Sequence, residues 1–225
     1  MKFKLINNLI IVSIEYKNYL LDTGSNRSFS LLDSDIELVI NDEKYHLERN
    51  IASHIVKDTL SKLVPGEFID GLIGTDIISK TNLTIDYLNN EIYFGLVKCS
   101  YDIEQHHIPF EVSMGYLFTY FYMKSYRLKM LIDSGAGIGY VKSKYLDLSK
   151  PICELNDYSP EVGEIKGNTY CFYDSLHQEN VLVGKLPEVY EFICDGIVPL
   201  YEFVRPGYCS FDFTKKIFSF TRRFL

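Results

Sequence analysis

The feature that most constrains this chain is a heptapeptide that it carries twice. LLDTGSN occupies residues 20–26 and LIDSGAG occupies residues 131–137. Each is two apolar residues, then Asp, then Thr or Ser, then Gly, then Ser or Ala. The two acids, Asp22 and Asp133, stand 111 positions apart in a chain of 225. At average composition one match to this pattern arises by chance in roughly two chains per thousand, and one match in each half at around a few per million. The flanks repeat as well. LIIVSIEYKNYLL precedes the first heptapeptide and YLFTYFYMKSYRLKML runs into the second. Both read as hairpins delivering an Asp at the end of the second strand, with polar turns at Lys17 and Asn18 and at Lys124 and Ser125. FIDGLIGTDII (68–78) is matched by FICDGIVPLYEF (192–203), and LTIDYLNNEIYF (83–94) by CSFDFTKKIFSF (209–220). Four features recur in one order, so the chain reads as one unit written twice.

The expected organisation is a first lobe over 1–100, a polar linker over 101–108 and a second lobe over 109–225. Tyr (18) and Phe (15) are plentiful, which favours strands, and helix is expected only near 52–63, after Gly74 and near 143–147. In the first of these Ala52, Ile55, Val56, Leu60 and Leu63 fall near one face. The class implied is mainly β. A net charge of −7 lacks the basic footprint of a nucleic-acid binder and suits an anionic membrane surface poorly. No apolar run approaches the roughly 20 residues of a membrane helix. Residues 1–16 imitate a signal peptide, but Asn7 and Asn8 interrupt the apolar patch, so a first strand and a cytoplasmic protein are expected. Cys99, Cys153, Cys171, Cys194 and Cys209 are odd in number and lack CxxC spacing, which favours free thiols. His106 and His107 have no third ligand nearby and read as solvated linker rather than a metal site.

The chemistry starts from the loops. In each, the Gly after Asp-Thr or Asp-Ser allows a tight turn and a close approach, and the hydroxyl can fix a neighbouring loop. Two such loops related by a pseudo-dyad bring two carboxylates together. Like charges about 3 Å apart cannot both ionise, so the pair shares a proton. One carboxylate then serves as general base to a water and the other as general acid to a carbonyl.

On these residues the sequence resembles the aspartic protease superfamily of pepsins and retropepsins, over nearly the whole chain. LLDTGSN and LIDSGAG resemble the two active-site loops, and DGLIG resembles the element that closes the ψ-shaped loop beneath a catalytic strand. The resemblance implies a bilobal acid-protease fold: two pseudo-twofold-related, β-barrel-like lobes with the cleft between them. It implies an endopeptidase acting on a peptide or protein held in extended form, as a monomer, with no cofactor and no metal. Asp22 and Asp133 would be catalytic, Thr23 and Ser134 would supply an interlobe hydrogen-bond grip, and Gly24 and Gly135 would be the tight-turn residues. Each half is close to a retropepsin subunit in length.

Three departures from the family pattern carry expectations. Pro199 stands where the first half has Gly74 and donates no hydrogen bond, so the second ψ element is expected to be distorted. Ser25 can donate to Asp22 while Ala136 cannot do so for Asp133, which would leave the shared proton on Asp133 more often and set the pH optimum above pepsin's. The third concerns the flap: from Asp22 to Asp70 there are 48 positions and from Asp133 to Asp195 there are 62. The extra length falls around DYSPEVGEIKGNTYCFYDS (157–175), where Gly163, Gly167 and Asn168 suggest a mobile hairpin. A single flap is therefore expected from the second lobe, with Tyr158 or Tyr170 reaching the cleft. Asp70, Asp195, Asp86 and Asp212 read as structural. The rival functions are a silent peptide-binding module on the same fold and, remotely, a glycoside hydrolase, against which the absence of Trp speaks.

Overall fold

A computed structural model describes residues 1–98, 105–123, 126–159, 163–174, 179–204 and 207–221. Strands hold 51% of the chain and helices 13%, so the protein is mainly β, as the sequence implies. Among the described residues no helix is long and apolar enough to cross a membrane.

The first half opens with β1 (Phe3–Ile6), β2 (Leu9–Ile14) and β3 (Lys17–Leu21), antiparallel in sequence order. Their two turns, Asn7 with Asn8 and Glu15 with Tyr16, have positive φ at both residues, which matches the strand twist. The second turn thus lies two residues before the expected Lys17 and Asn18. Burying Ile10, Val12 and Ile14 sets a register in which Asn18 belongs to β3. There the Asn18 amide donates to Asp70 Oδ2 (2.8 Å) and its side chain accepts from Ser13 Oγ (2.6 Å). The chain continues through β4 (Phe29–Ser30), the hairpin β5 (Ile36–Ile40) and β6 (Glu43–Leu47), α1 (Ser53–Leu63), β7 (Gly71–Ile73), α2 (Thr75–Thr81), β8 (Leu83–Asp86) and β9 (Glu91–Tyr93).

The second half runs β10 (Gln105–Pro109), β11 (Glu111–Ser113), β12 (Tyr116–Met123), β13 (Tyr126–Asp133), β14 (Gly139–Val141), β15 (Cys153–Ser159), β16 (Gly163–Asp174), β17 (Glu179–Lys185), β18 (Gly196–Pro199), α3 (Leu200–Val204), β19 (Tyr208–Asp212) and β20 (Ile217–Thr221). The helical turn expected near 143–147 is a 3₁₀ turn at Ser143–Tyr145. Residues 105–108, expected as linker, are strand: β10 pairs with β20, His106 stacks on Phe220 and His107 Nδ1 lies 2.8 Å from Ser219 Oγ. Both histidines of β10 find partners on β20, which a free linker would lack. Residues 101–104 and Cys99 lie outside the described residues, as do the expected turn residues Lys124 and Ser125.

The repeat seen in sequence is a repeat of topology. One sheet has the order β1-β2-β3-β7-β4 and another begins β11-β12-β13-β18-β14. In both, the strand that delivers the Asp runs parallel to the strand that follows Asp-Gly, which then pairs antiparallel with the short strand after the loop. A third sheet, β10-β20-β19-β8-β9, draws on both halves. Its central pair is twofold symmetric. Thr84 faces Ser210, its counterpart in the repeat, while Leu83 faces Phe211 and Ile85 faces Cys209. A self-complementary register of this kind is what a dimer interface shows, realised within one chain.

Both faces of the first sheet are buried. Ile10, Val12, Tyr19 and Leu21 enter a core that continues through Met130, Ile132, Phe211 and Phe218 of the second half. Leu9, Ile11, Leu20 and Leu72 face the other way and are covered by Val56, Leu60 and Val64 on or beside α1. The helix is thus where the sequence places it, but Ile55 is exposed. Thr59 is buried instead, its hydroxyl turned back to the Ile55 carbonyl (2.8 Å). In the second half Phe118, Leu131, Tyr140 and Ile197 form the matching outer face, covered by Leu155, Leu186, Ile193 and Cys194. Cys153 and Cys171 are exposed free thiols and Cys194 and Cys209 buried ones; burial pushes the Cys194 thiol up to about 12.

The long hairpin expected around 157–175 is β15 with β16, and β15 approaches α1 of the first half. Gly167 and Asn168 are not its turn. They sit within β16 opposite Leu155 and Glu154, because the ladder runs unbroken from Cys153–Thr169 to Ser159–Gly163. An exposed strand position tolerates Gly at an entropic cost without losing its ladder bonds. The connection at 160–162 lies outside the described residues.

Candidate active site

Asp22 leaves the end of β3 with its amide bonded to the Ile73 carbonyl (3.0 Å), so the β3–β7 ladder extends into the loop. The Gly24 amide then turns back to Asp22 Oδ1 (2.8 Å). In the other half the Gly135 amide does the same to Asp133 Oδ1 (2.7 Å). Each carboxylate is therefore aimed by the backbone of its own loop. It is also seated against the other loop: a Cβ built on Gly135 would fall 2.7 Å from Asp22 Cγ, and one on Gly24 would overlap the Asp133 carboxyl group. At these two positions only Gly leaves room for the facing acid. Asp22 is 9% exposed, and Asp133 is half-buried.

Beneath the acids the two hydroxyls cross. Thr23 Oγ1 donates to the Ile132 carbonyl and accepts from the Ser134 amide, both at 2.9 Å. Ser134 Oγ donates to the Leu21 carbonyl and accepts from the Thr23 amide, again both at 2.9 Å. Thr23 and Ser134 are 0% and 2% exposed, so these four bonds have no water to compete with them. Every donor and acceptor has its twofold mate.

The second ψ element is not distorted. β18 pairs with β13 through Ile132–Val198 and on to Asp133–Pro199. In the first half Ser28 Oγ accepts the Gly74 amide (2.8 Å) and donates to Asp76 Oδ1 (2.6 Å). The repeat places Gly139 at the position of Ser28 and Pro199 at that of Gly74, and a Cβ on Gly139 would lie 3.5 Å from Pro199 Cδ. Hydroxyl and amide are lost together, so neither is left unpaired. Pro199 also directly precedes α3, where a helix has no use for the missing N–H.

The expected Ser25–Asp22 bond is not formed. Ser25 Oγ gives its one proton to the Arg27 carbonyl (2.8 Å), while the Ser25 carbonyl accepts from Thr75 (2.9 Å). The hydroxyl tightens its own turn and gives Asp22 no bond that would leave a shared proton on Asp133. Ala136 packs against the apolar cluster of Phe118 and Leu131. Of the flap residues, Tyr170 is half-buried near the base of the hairpin, paired with Val183 of β17, and Tyr158 and Gly163 flank the end of the β15–β16 ladder. The side chains of Tyr158 and Gly163 lie outside the described residues.

Asp70 and Asp195 are structural and equivalent. Asp70 Oδ2 accepts the Asn18 amide and Asp195 Oδ2 the Lys129 amide (3.1 Å), each pinning the strand that leads to an Asp-bearing loop. Asp195 has in addition a partly buried ion pair with Lys142 (3.0 Å). Burial works to raise its pKa, but the Lys129 amide and the Lys142 ammonium outweigh burial and hold the carboxyl below its usual range. A carboxyl whose pKa falls on folding adds stability above its unfolded value of about 3.9 and loses it as pH drops below that. Asp195→Asn is therefore expected to melt lower than the parent at pH 7, by roughly 1–3 kcal/mol. In thermal melts the gap should narrow below about pH 4; a gap that stays constant down to pH 2.5 would contradict this origin.

Sequence reasoning missed one pair near the site. The Tyr140 hydroxyl donates to Asp157 Oδ2, joining β14 beside the second loop to the hairpin strand β15. Burial, then the Asp157 bond and charge, push the Tyr140 phenol well above its ordinary value, so it stays a donor. The signal was faint: Tyr140 occupies the repeat position of Phe29, and only the hydroxyl distinguishes them. Among the described residues no three His, Cys, Asp or Glu side chains gather as a metal ion would need. No protein-family model matches this chain, and no curated protein matches it.

Proposed function

We propose that the chain is an aspartic endopeptidase of bilobal acid-protease architecture, with lobes over about 1–100 and 109–225. It would cut a limited set of protein or peptide substrates. The observation that carries this reading is the reciprocal Thr23–Ser134 bonding that seats each Asp over the glycine of the opposite loop. Two carboxylates so placed share one proton. The ionised one removes a proton from a water, whose oxygen bonds to the peptide carbonyl carbon. The protonated one gives its proton to the carbonyl oxygen, so a neutral gem-diol forms. On collapse the C–N bond breaks, the amine nitrogen takes the proton held by the first carboxyl, and the second recovers its own. The β15–β16 hairpin is the flap of this reading; it would cover an extended peptide and exclude water from the reacting centre.

The test is cleavage of a proteome-derived peptide library, read by mass spectrometry from pH 4 to 7. Defined cuts are expected, blocked by a statine-type transition-state analogue and untouched by a chelator. A folded chain that binds the analogue without cutting is a peptide-binding module. One that neither cuts nor binds overturns the reading.

A further inference from the structure

The two loops are symmetric at the acids but not two residues further on. Asn26 of the first loop is covered: its side chain donates to the Met114 carbonyl (3.3 Å), and a Cβ on Gly115 would fall 2.7 Å from Asn26 Cβ. The repeat position in the second loop is Gly137. Among the described residues the one heavy atom within 4 Å of a Cβ built there is Asp157 Oδ1, at 4.0 Å. Among the described residues Gly137 thus leaves an open space in the loop that carries Asp133, and a carboxylate oxygen faces it.

The position of Asp157 is set by the strand that carries it. It lies on β15 opposite Ile165, on the same side of the strand as Leu155. Leu155 and the Tyr140 ring fill the hollow at Gly184, where a Cβ would fall 2.7 Å from Leu155 Cδ2 and 2.8 Å from Tyr140 Cε1. That face of the hairpin is therefore anchored over the second half. Asp157 Oδ2 is taken by the Tyr140 hydroxyl, which leaves Oδ1 as the oxygen directed at the space over Gly137. Nearby cations are engaged elsewhere: Lys166 pairs with Glu164 (3.1 Å) and Lys142 with Asp195 (3.0 Å). Among the described residues no Lys, Arg or His forms an ion pair with Asp157.

Resting on the endopeptidase reading, we infer that Asp157 selects a cationic side chain, Lys or Arg, at one substrate position flanking the scissile bond. The side chain occupies the space that Gly137 leaves open and donates to Asp157 Oδ1. A charge-assisted bond discriminates against an apolar isostere by about tenfold or more. The Tyr140 hydroxyl positions the carboxylate and needs no contact with substrate.

The test compares cleavage of paired peptides that differ only in Lys against norleucine at the selected position, found by library profiling. The parent protein is expected to favour the Lys peptide about tenfold or more in kcat/KM. Asp157→Asn keeps an oxygen to accept from Tyr140 and should bring the Lys-to-norleucine ratio of kcat/KM down to about one. Asp157→Lys should turn the preference towards Glu. Cutting with no charge preference, or equal losses on both peptides in Asp157→Asn, overturns the subsite and leaves the endopeptidase intact. No cutting by the folded parent, with no binding of the statine analogue, overturns both.

Discussion

Asp22→Asn and Asp133→Asn are each expected to lower kcat/KM for peptide hydrolysis by at least about a thousandfold, without loss of thermal stability. The reasoning separates shape from protonation. An Asn at either position keeps an oxygen to accept the amide of Gly24 or Gly135, so the loop keeps its turn. It also takes away one of two facing carboxyl groups that have to share a proton, so the melting temperature is expected to hold or rise. What it cannot do is take a proton from water or give one to a carbonyl. If each acid carries a different half of the proton transfer within one molecule, both single variants should fail alike and mixing them should restore nothing. Gly135→Ala tests the same geometry from the opposite side: a Cβ 2.7 Å from Asp22 Cγ displaces that carboxyl while both acids remain in the sequence. Activity surviving in any of the three, measured beside a melt that shows a folded protein, would remove the paired acids from the mechanism.

The second large effect is on stability. Thr23→Val preserves volume but leaves the Ile132 carbonyl and the Ser134 amide, both deep in the protein, without their partner. Each orphaned group costs roughly 1–3 kcal/mol, so a loss of about 3 kcal/mol is expected. In a chain of this size that lowers the melting temperature by roughly 6–12 °C. Ser134→Ala orphans the Leu21 carbonyl and the Thr23 amide and should cost a similar amount. The double variant should lose less than the sum, because the four bonds form one network. Thr23→Ser keeps the hydroxyl and is expected to lose little. If Thr23→Val melted with the parent, the crossed hydroxyls would not be holding the halves together.

Much of this was legible before any coordinates. The paired heptapeptides point to the meeting of Asp22 with Gly135 and of Asp133 with Gly24 because both loops obey one local rule, and a local rule repeats faithfully. Asp70 and Asp195 were recognisable as structural for the same reason. What could not be read were the choices made by partners distant in sequence. Ser25 gives its proton to the Arg27 carbonyl, and only the path of the chain through Arg27 decides that. Pro199 looked disruptive in isolation, yet it is harmless because Gly139, 60 positions earlier, has given up the hydroxyl that would have needed an amide. The β2–β3 turn fell at Glu15 and Tyr16 because burying Ile10 and Val12 outweighed the polar character of Lys17 and Asn18. Tyr140 escaped notice because its repeat partner Phe29 has no hydroxyl to mark the position, and Asp157 because it lies outside the repeated motifs.

The shared sheet has a consequence in time. Its central register joins β8 to β19, and Leu83 must wait for Phe211 before it has a partner. In a chain made from the N-terminus, Asp22 is complete long before Ser134 can grip Thr23, and contacts so distant in sequence form slowly. A nascent or half-folded molecule therefore holds two separate acids and no joint site. Competence to cut would arrive only with the last strands, when the molecule's own exposed segments have already been folded away.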